Sequence, residues 1–182
     1  MNLSIALIIP VFNEEEKLEK FYKYLKEVLD KTYPDLNYDF YFVNDGSQDT
    51  TQHILNKLSN LKDFFFISLS KNYGKELAIL SAFQTIKLDL YDAFITLDCD
   101  YQHDINKVSE CLSIWKSNGC DSVVGIKKDI NQNFLRLYAS KIYNLIIYGT
   151  SKSQNTDFRL ISKKIAKEFS KTNEKNIIYR NV

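Results

Sequence analysis

Short continuous apolar runs alternate along the chain with segments whose apolar residues recur every three or four positions. Ser4 to Phe12 (SIALIIPVF) is apolar throughout and rich in Ile, the pattern of a parallel strand covered on both faces. Asn13 then reads as the N-cap of a helix with Glu14, Glu15 and Glu16 in its first turn, where acids suit the positive end of the helix dipole. Leu18, Phe21, Tyr22, Leu25, Val28 and Leu29 follow at helical spacing and lay one stripe on a sheet. Tyr38 to Val43 predicts a second, aromatic strand that ends in Asn44-Asp45-Gly46-Ser47, with Gly46 permitting a tight turn. A helix carrying Ile54, Leu55, Leu58 and Leu61 comes next, then a strand over Phe64 to Leu69.

Ser70 to Glu76 is polar, and Leu77 to Ile86 predicts a helix that is apolar on most sides and therefore central. Ala93 to Leu97 is a fourth strand. Ile105, Val108, Leu112 and Trp115 mark a helix closed by Asn118-Gly119, and Ser122 to Ile126 is a fifth strand. Beyond it the pattern predicts a basic loop over Lys127 to Asn133 and a long helix over Phe134 to Tyr148. A short strand or turn over Asn155 to Leu160 and a final helix starting at Ser162 complete the chain. Strand and helix alternating through the first 120 residues predict one α/β domain over residues 1–182, with a mainly parallel sheet flanked by helices.

Composition narrows the function little. The 182 residues are 45% hydrophobic and 26% charged, ordinary for a globular protein, and the net charge of +1 gives no reason to expect nucleic acid. Cys99, Cys111 and Cys120 are odd in number without a C-x-x-C pair, which argues against a disulfide framework and suits a reducing, cytoplasmic setting. The first apolar run is broken by Pro10 and is too short for a signal peptide or a membrane span.

Chemistry concentrates at the ends of strands. Asp98 and Asp100 stand two apart at the end of the fourth strand, so their side chains face one way and could hold a hard cation. A strand running out into a polar turn would leave the same pair merely solvated. Three further polar clusters, Asn13-Glu14, Asn44 to Ser47 and Lys71 to Glu76, also fall at carboxyl ends of predicted strands, where open α/β sheets bind ligands. No G-x-G-x-x-G follows the first strand, no P-loop occurs, and G-x-S-x-G is absent. His53 reads as a helix-surface residue, whereas His103 lies close to the carboxylates. What remains is acid for a metal and polar groups for a nucleotide, equipment for activating a phosphorylated leaving group.

IIPVFNEE, VNDGSQDTT, KNYGKELA, LDCDYQHD and NTDFRL, in this order, resemble the family 2 glycosyltransferases, above all those that make polyprenyl-phosphate sugars. The resemblance runs from Ile8 to about Arg180. It implies the glycosyltransferase-A fold, a nucleotide-sugar donor carrying UDP or GDP, and inversion at the anomeric carbon with Mg²⁺ or Mn²⁺. Pro10, Phe12, Asn13 and Glu14 would line the nucleotide pocket, and Asp45 would accept a hydrogen bond from the base with Ser47 nearby. A turn-forming Asp before Gly is the other use of Asp45. Lys75 would face the phosphates, Asp98 the ribose or sugar, and Asp100 the metal, with Asp98 beside it and Gln102 assisting. Arg136 and Ser140 would meet an acceptor phosphate, while Asp157 and Arg159 would stand near the reacting centre.

His103-Asp104 replaces the family's usual Asp-Pro pair, and Lys71 a frequent arginine. Longer members continue past the equivalent of Val182 into acceptor-side segments and often membrane helices, so this chain is expected to lack those parts. Three readings follow: transfer to a polyprenyl phosphate at the cytoplasmic face of a membrane, with peripheral association; transfer to a sugar hydroxyl in polysaccharide or lipopolysaccharide synthesis; and a non-catalytic nucleotide-sugar-binding module. A lipid phosphate is already ionised, whereas a hydroxyl acceptor would need a base, for which Asp157 is the candidate.

Overall fold

The computed structural model describes residues 3–100, 105–126 and 155–172. Six strands form one sheet: β1 (Ser4–Val11), β2 (Asn37–Asn44), β3 (Phe64–Ser68), β4 (Ala93–Thr96), β5 (Ser122–Ile126) and β6 (Asn155–Ser162). Their order is β3-β2-β1-β4-β6-β5. β1 is parallel to β2 and β4, and β2 is parallel to β3. β6 runs antiparallel between β4 and β5.

Alternation along each strand sorts the core into two layers. Ile5, Leu7 and Ile9 of β1, with Phe40 and Phe42 of β2, face α1 (Leu18–Thr32), α2 (Thr51–Leu58) and α4 (Val108–Asn118). Ala6, Ile8, Val43 and Phe94 face α3 (Lys75–Thr85) and α5 (Lys163–Lys171) on the other side. Tyr22 of α1 sets its ring edge-on to both Phe40 and Phe64, at centroid separations of 5.2 and 5.1 Å. Each of these phenylalanines, removed from water, contributes about 1.5 to 3 kcal/mol.

Several elements differ from their predicted form. Asn13 is not an N-cap: it has φ 54, in the left-handed region, and α1 begins five residues later at Leu18. A turn over residues 15–17 intervenes, and the Leu18 amide bonds back to the Glu14 carbonyl at 2.9 Å. α3 starts two residues earlier than its apolar pattern suggests. The short strand or turn near residue 155 is an eight-residue strand paired between β4 and the edge strand β5. Ser162 does cap the last helix, its hydroxyl accepting from the Ile165 amide. The basic loop and long helix predicted over 127–148 lie outside the described residues. Among the described residues no helix is long and apolar enough to cross a membrane.

Candidate active site

β1 and β4 lie side by side, but the chain leaves β1 for β2 on one side and leaves β4 for β5 on the other. Loops diverge where strand order reverses in this way, and the crevice between their carboxyl ends is where such sheets hold ligands. Pro10 and Phe12 end β1 at this edge, Pro10 half-buried and Phe12 41% exposed. Asp98 and Asp100 follow β4 at the same edge.

The loops after β1 and β2 are stitched together by side chains. The Asn13 amide donates to Ser47 Oγ, and the Gln48 amide donates to Asn13 Oδ1, both at 2.9 Å. This reciprocal pair is what fixes the left-handed Asn13, a conformation that Asn tolerates better than most residues. The Glu14 amide donates to the buried Thr51 Oγ1, and Glu15 Oε2 accepts from the Thr50 amide and hydroxyl. Burial pushes the Asp49 carboxyl up, but hydrogen bonds from Thr51 and the Glu15 amide outweigh it and hold the group below the usual carboxylate range. An open depression of about 470 Å³ flanks the stitch, lined by residues 13–17, Gln48 and Asp49. With Glu14, Glu15, Glu16 and Asp49 on its walls, it does not suit a diphosphate.

The cationic side of the edge comes from the loop after β3. Asp45 is 3% exposed, and its two oxygens accept from the Tyr73 and Gly74 amides at 2.8 and 2.9 Å. Gly46 (φ 68) sits so close to this loop that a Cβ there would lie 2.2 Å from the Lys71 carbonyl carbon. Gly74 (φ 93) precedes the first residue of α3, Lys75, whose ammonium pairs with the Asp98 carboxylate. Both partners are about a quarter exposed.

Thus the structure brings Lys75 and Asp98 together, and Asn13, Glu14, Asp45 and Ser47 into the loops around them. Asp98 and Asp100 alternate with Cys99, which packs into the opposite layer. Burial, with the Glu14 carboxylate nearby, pushes the Cys99 thiol far above its ordinary value, so it packs as a neutral side chain. Among the described residues no group of three or more His, Cys, Asp or Glu is gathered for a metal. Asp98 and Asp100 are oxygen donors of the type that Mg²⁺ or Mn²⁺ takes, and Asp98 is paired with the Lys75 ammonium.

Arg159 is 5% exposed in β6, opposite Thr96 of β4 and Val124 of β5. The β4–β6 pairing ends at Thr96 and Arg159, two residues before Asp98. The Asp157 side chain, Gln102, His103, Asp104, Arg136 and Ser140 lie outside the described residues. The sequence reading missed Thr51, Glu15 and the amides of Tyr73 and Gly74. Thr51 carries a signal, a hydroxyl at a helix start inside VNDGSQDTT; a backbone amide carries none.

The fold is that of solved glycosyltransferases. S. aureus TarS superposes with a TM-score of 0.64 over 98% of this chain and 52% of its own, at 17% identity. The mannosyltransferase PcManGT from Pyrobaculum calidifontis, solved with GDP-Man and Mn²⁺, gives 0.60 over 95% and 48%, at 14% identity. These likenesses establish the glycosyltransferase-A architecture. In sequence the chain is similar to the bactoprenol glucosyl transferase of Shigella phage SfV, 30% identical over 99% of this chain and 59% of that protein. The prophage bactoprenol glucosyl transferase homolog of Escherichia coli K12 is 31% identical over the same shares. The chain therefore spans somewhat more than half the length of these relatives. The family model for glycosyl transferase family 2 matches residues 6–170, and the chain belongs to that family.

Proposed function

We propose that this chain is the donor-binding and catalytic part of an enzyme that transfers a sugar, with inversion, from a UDP- or GDP-sugar to a polyprenyl phosphate. The observation that carries the reading is the Lys75–Asp98 pair in the crevice between β1 and β4. A cation and a carboxylate pair meet there, at the edge where polar loops converge. The bactoprenol glucosyl transferase relatives favour a lipid phosphate as acceptor.

Asp98 and Asp100 would hold a Mg²⁺ or Mn²⁺ ion. Bound there, the ion would neutralise charge on the donor's diphosphate. Lys75 adds a second positive charge on the same side, a fixed cation whose effect is largest where charge develops on the leaving group. Pro10, Phe12 and Glu14 would contact the nucleoside. An oxygen of the acceptor phosphate attacks the anomeric carbon, the bond from that carbon to the diphosphate oxygen breaks, and the nucleoside diphosphate leaves with the electron pair. No proton need be removed, because a phosphate monoester is ionised near neutral pH. Asp157, Arg159 and Arg136 then serve as positioning groups around the acceptor, with the reaction set at the cytoplasmic face of a membrane.

Labelled UDP- and GDP-sugars offered with either a polyprenyl phosphate or a saccharide acceptor test the reading. Label in the lipid phosphate supports it. Label only in saccharide makes the acceptor a hydroxyl, and donor binding without transfer to either makes the chain a binding module.

A further inference from the structure

We propose that Lys75 is an exchangeable counter-ion shared between Asp98 and the donor's diphosphate, and that the exchange makes the crevice select a nucleotide arriving with its divalent cation over the bare anion. This deepens the reading above and rests on it. The Lys75 ammonium pairs with the Asp98 carboxylate, so a diphosphate that reaches the same ammonium competes with Asp98 for it. An ammonium has three N–H donors and could bridge both anions. A bridge, however, would press the diphosphate against the carboxylate, and like charges at that range repel. A cation on Asp98 removes the conflict, because it neutralises the carboxylate and repels the ammonium toward the phosphates.

Both partners start from anchored backbone. Lys75 opens α3, which buries Ala78, Ile79, Ala82 and Phe83 against the sheet. Asp98 stands between the buried Leu97 and Cys99, and the Leu97 amide donates to the Ile8 carbonyl at 3.2 Å. Lysine carries its charge at the tip of a flexible stem, so the ammonium can swing while α3 stays in place. An arginine fork would hold the carboxylate by two parallel bonds and release it less readily. The setting suits exchange too, since both side chains are about a quarter exposed. An ion pair in open water is worth too little to bias binding, and a wholly buried one costs too much to open.

Calorimetric titration of UDP and GDP, in EDTA and in Mn²⁺, on wild type, Asp98→Asn, Lys75→Met and the double variant reads the exchange. In EDTA, Asp98→Asn should bind the preferred nucleotide about 5-fold more tightly than wild type, because the ammonium is no longer drawn from a carboxylate. Relief of charge repulsion alone would help equally without the lysine. In the Lys75→Met background the same substitution should therefore gain less than about 2-fold, a coupling that marks the two as partners. In Mn²⁺ the sign reverses: Asp98→Asn should bind more weakly than wild type, since the carboxylate then serves the cation.

Asp98→Asn that binds no more tightly than wild type in EDTA, or gains as much without Lys75 as with it, overturns the proposal. So does a variant that stays tighter in Mn²⁺. Should Asp98→Asn fail to fold, Mn²⁺ uptake without nucleotide, read from loss of the free ion's electron paramagnetic resonance signal, tests the pair with its carboxylate in place. Lys75→Met should take up Mn²⁺ about 5-fold more tightly than wild type. Lys71→Met, which removes an equal charge lying over the Tyr73 ring, should leave uptake unchanged. Equal effects of the two, or no gain in Lys75→Met, overturn the proposal. Wild type that binds neither nucleotide in Mn²⁺ removes the donor-site reading itself, whereas Mn²⁺-dependent binding without the reversal in EDTA removes only the exchange.

Discussion

The loops after β1 and β2 and the turn after β4 use the same acidic side chains for opposite ends. In the loops, Asp45, Asp49 and Glu15 spend their oxygens on backbone amides and hydroxyls, and the carboxylates act as internal fasteners. After β4, Asp98 faces an ammonium across the crevice, and Asp100 follows it half-buried. In the proposed reaction a region fastened in advance would let its neighbour hold charge without reorganising, which is what an electrostatically driven displacement needs. A carboxylate is therefore not evidence of a ligand site until its oxygens have been accounted for. By that test Asp45 already takes one backbone amide on each oxygen, whereas Asp98 faces an ammonium.

The largest expected effect tests the chemical side. Asp100→Asn keeps size and one carbonyl oxygen but removes the charge that draws a divalent cation. Mn²⁺-dependent UDP or GDP affinity should fall about 100-fold, and Asp104→Asn should cost less. Calorimetry with and without Mn²⁺ decides; equal losses would mean that the wrong acids have been assigned. The same Asp100→Asn protein should stay within about 0.5 kcal/mol of wild type in a urea unfolding curve, as for a change away from the core.

Gly46→Ala should do the reverse. The left-handed backbone and the contact with Lys71 together cost about 2 kcal/mol of stability, and urea midpoints measure it. A stable Gly46→Ala protein would mean that the Lys71–Asn72 backbone gives way easily at this contact.

The smallest effect lies beneath the sheet, on the fastening side. Asp63 accepts from Tyr22 Oη at 2.9 Å and Lys26 Nζ at 2.6 Å. Burial pushes its carboxyl up, but those two hydrogen bonds outweigh it and leave it below the ordinary value. A carboxyl lowered on folding adds stability above its unfolded pKa of about 3.9, and that stability is lost as pH falls through the folded value. Asp63→Asn should therefore melt below wild type at pH 7 by at most about 1 kcal/mol, the two converging in acid. A gap that persists at pH 2 would mean that packing, not charge, separates them.

Local pattern made β1 to β4 and their helices legible, because each strand is a continuous apolar run and each helix carries its own stripe. Asp98 and Asp100 were legible for the same reason, standing where a run stops. Asn13 was misread because its partners are Ser47 and Gln48, more than thirty residues away, and no local rule distinguishes an N-cap from a left-handed link. Residues 155–160 read only as a short strand or turn, because insertion between β4 and β5 is decided by pairing, not by the segment's own residues. The Asp45 hydrogen bonds were invisible for a third reason: the partners are backbone amides.

The claim that joins these regions is displacement by an acceptor that needs no base. It is tested most directly by kcat against pH for transfer to a polyprenyl phosphate, in wild type and Asp157→Asn. The account predicts slower turnover in Asp157→Asn with the acidic limb of the profile unchanged. Loss of that limb, with the 10²- to 10⁴-fold fall usual for removing a general base, would contradict it.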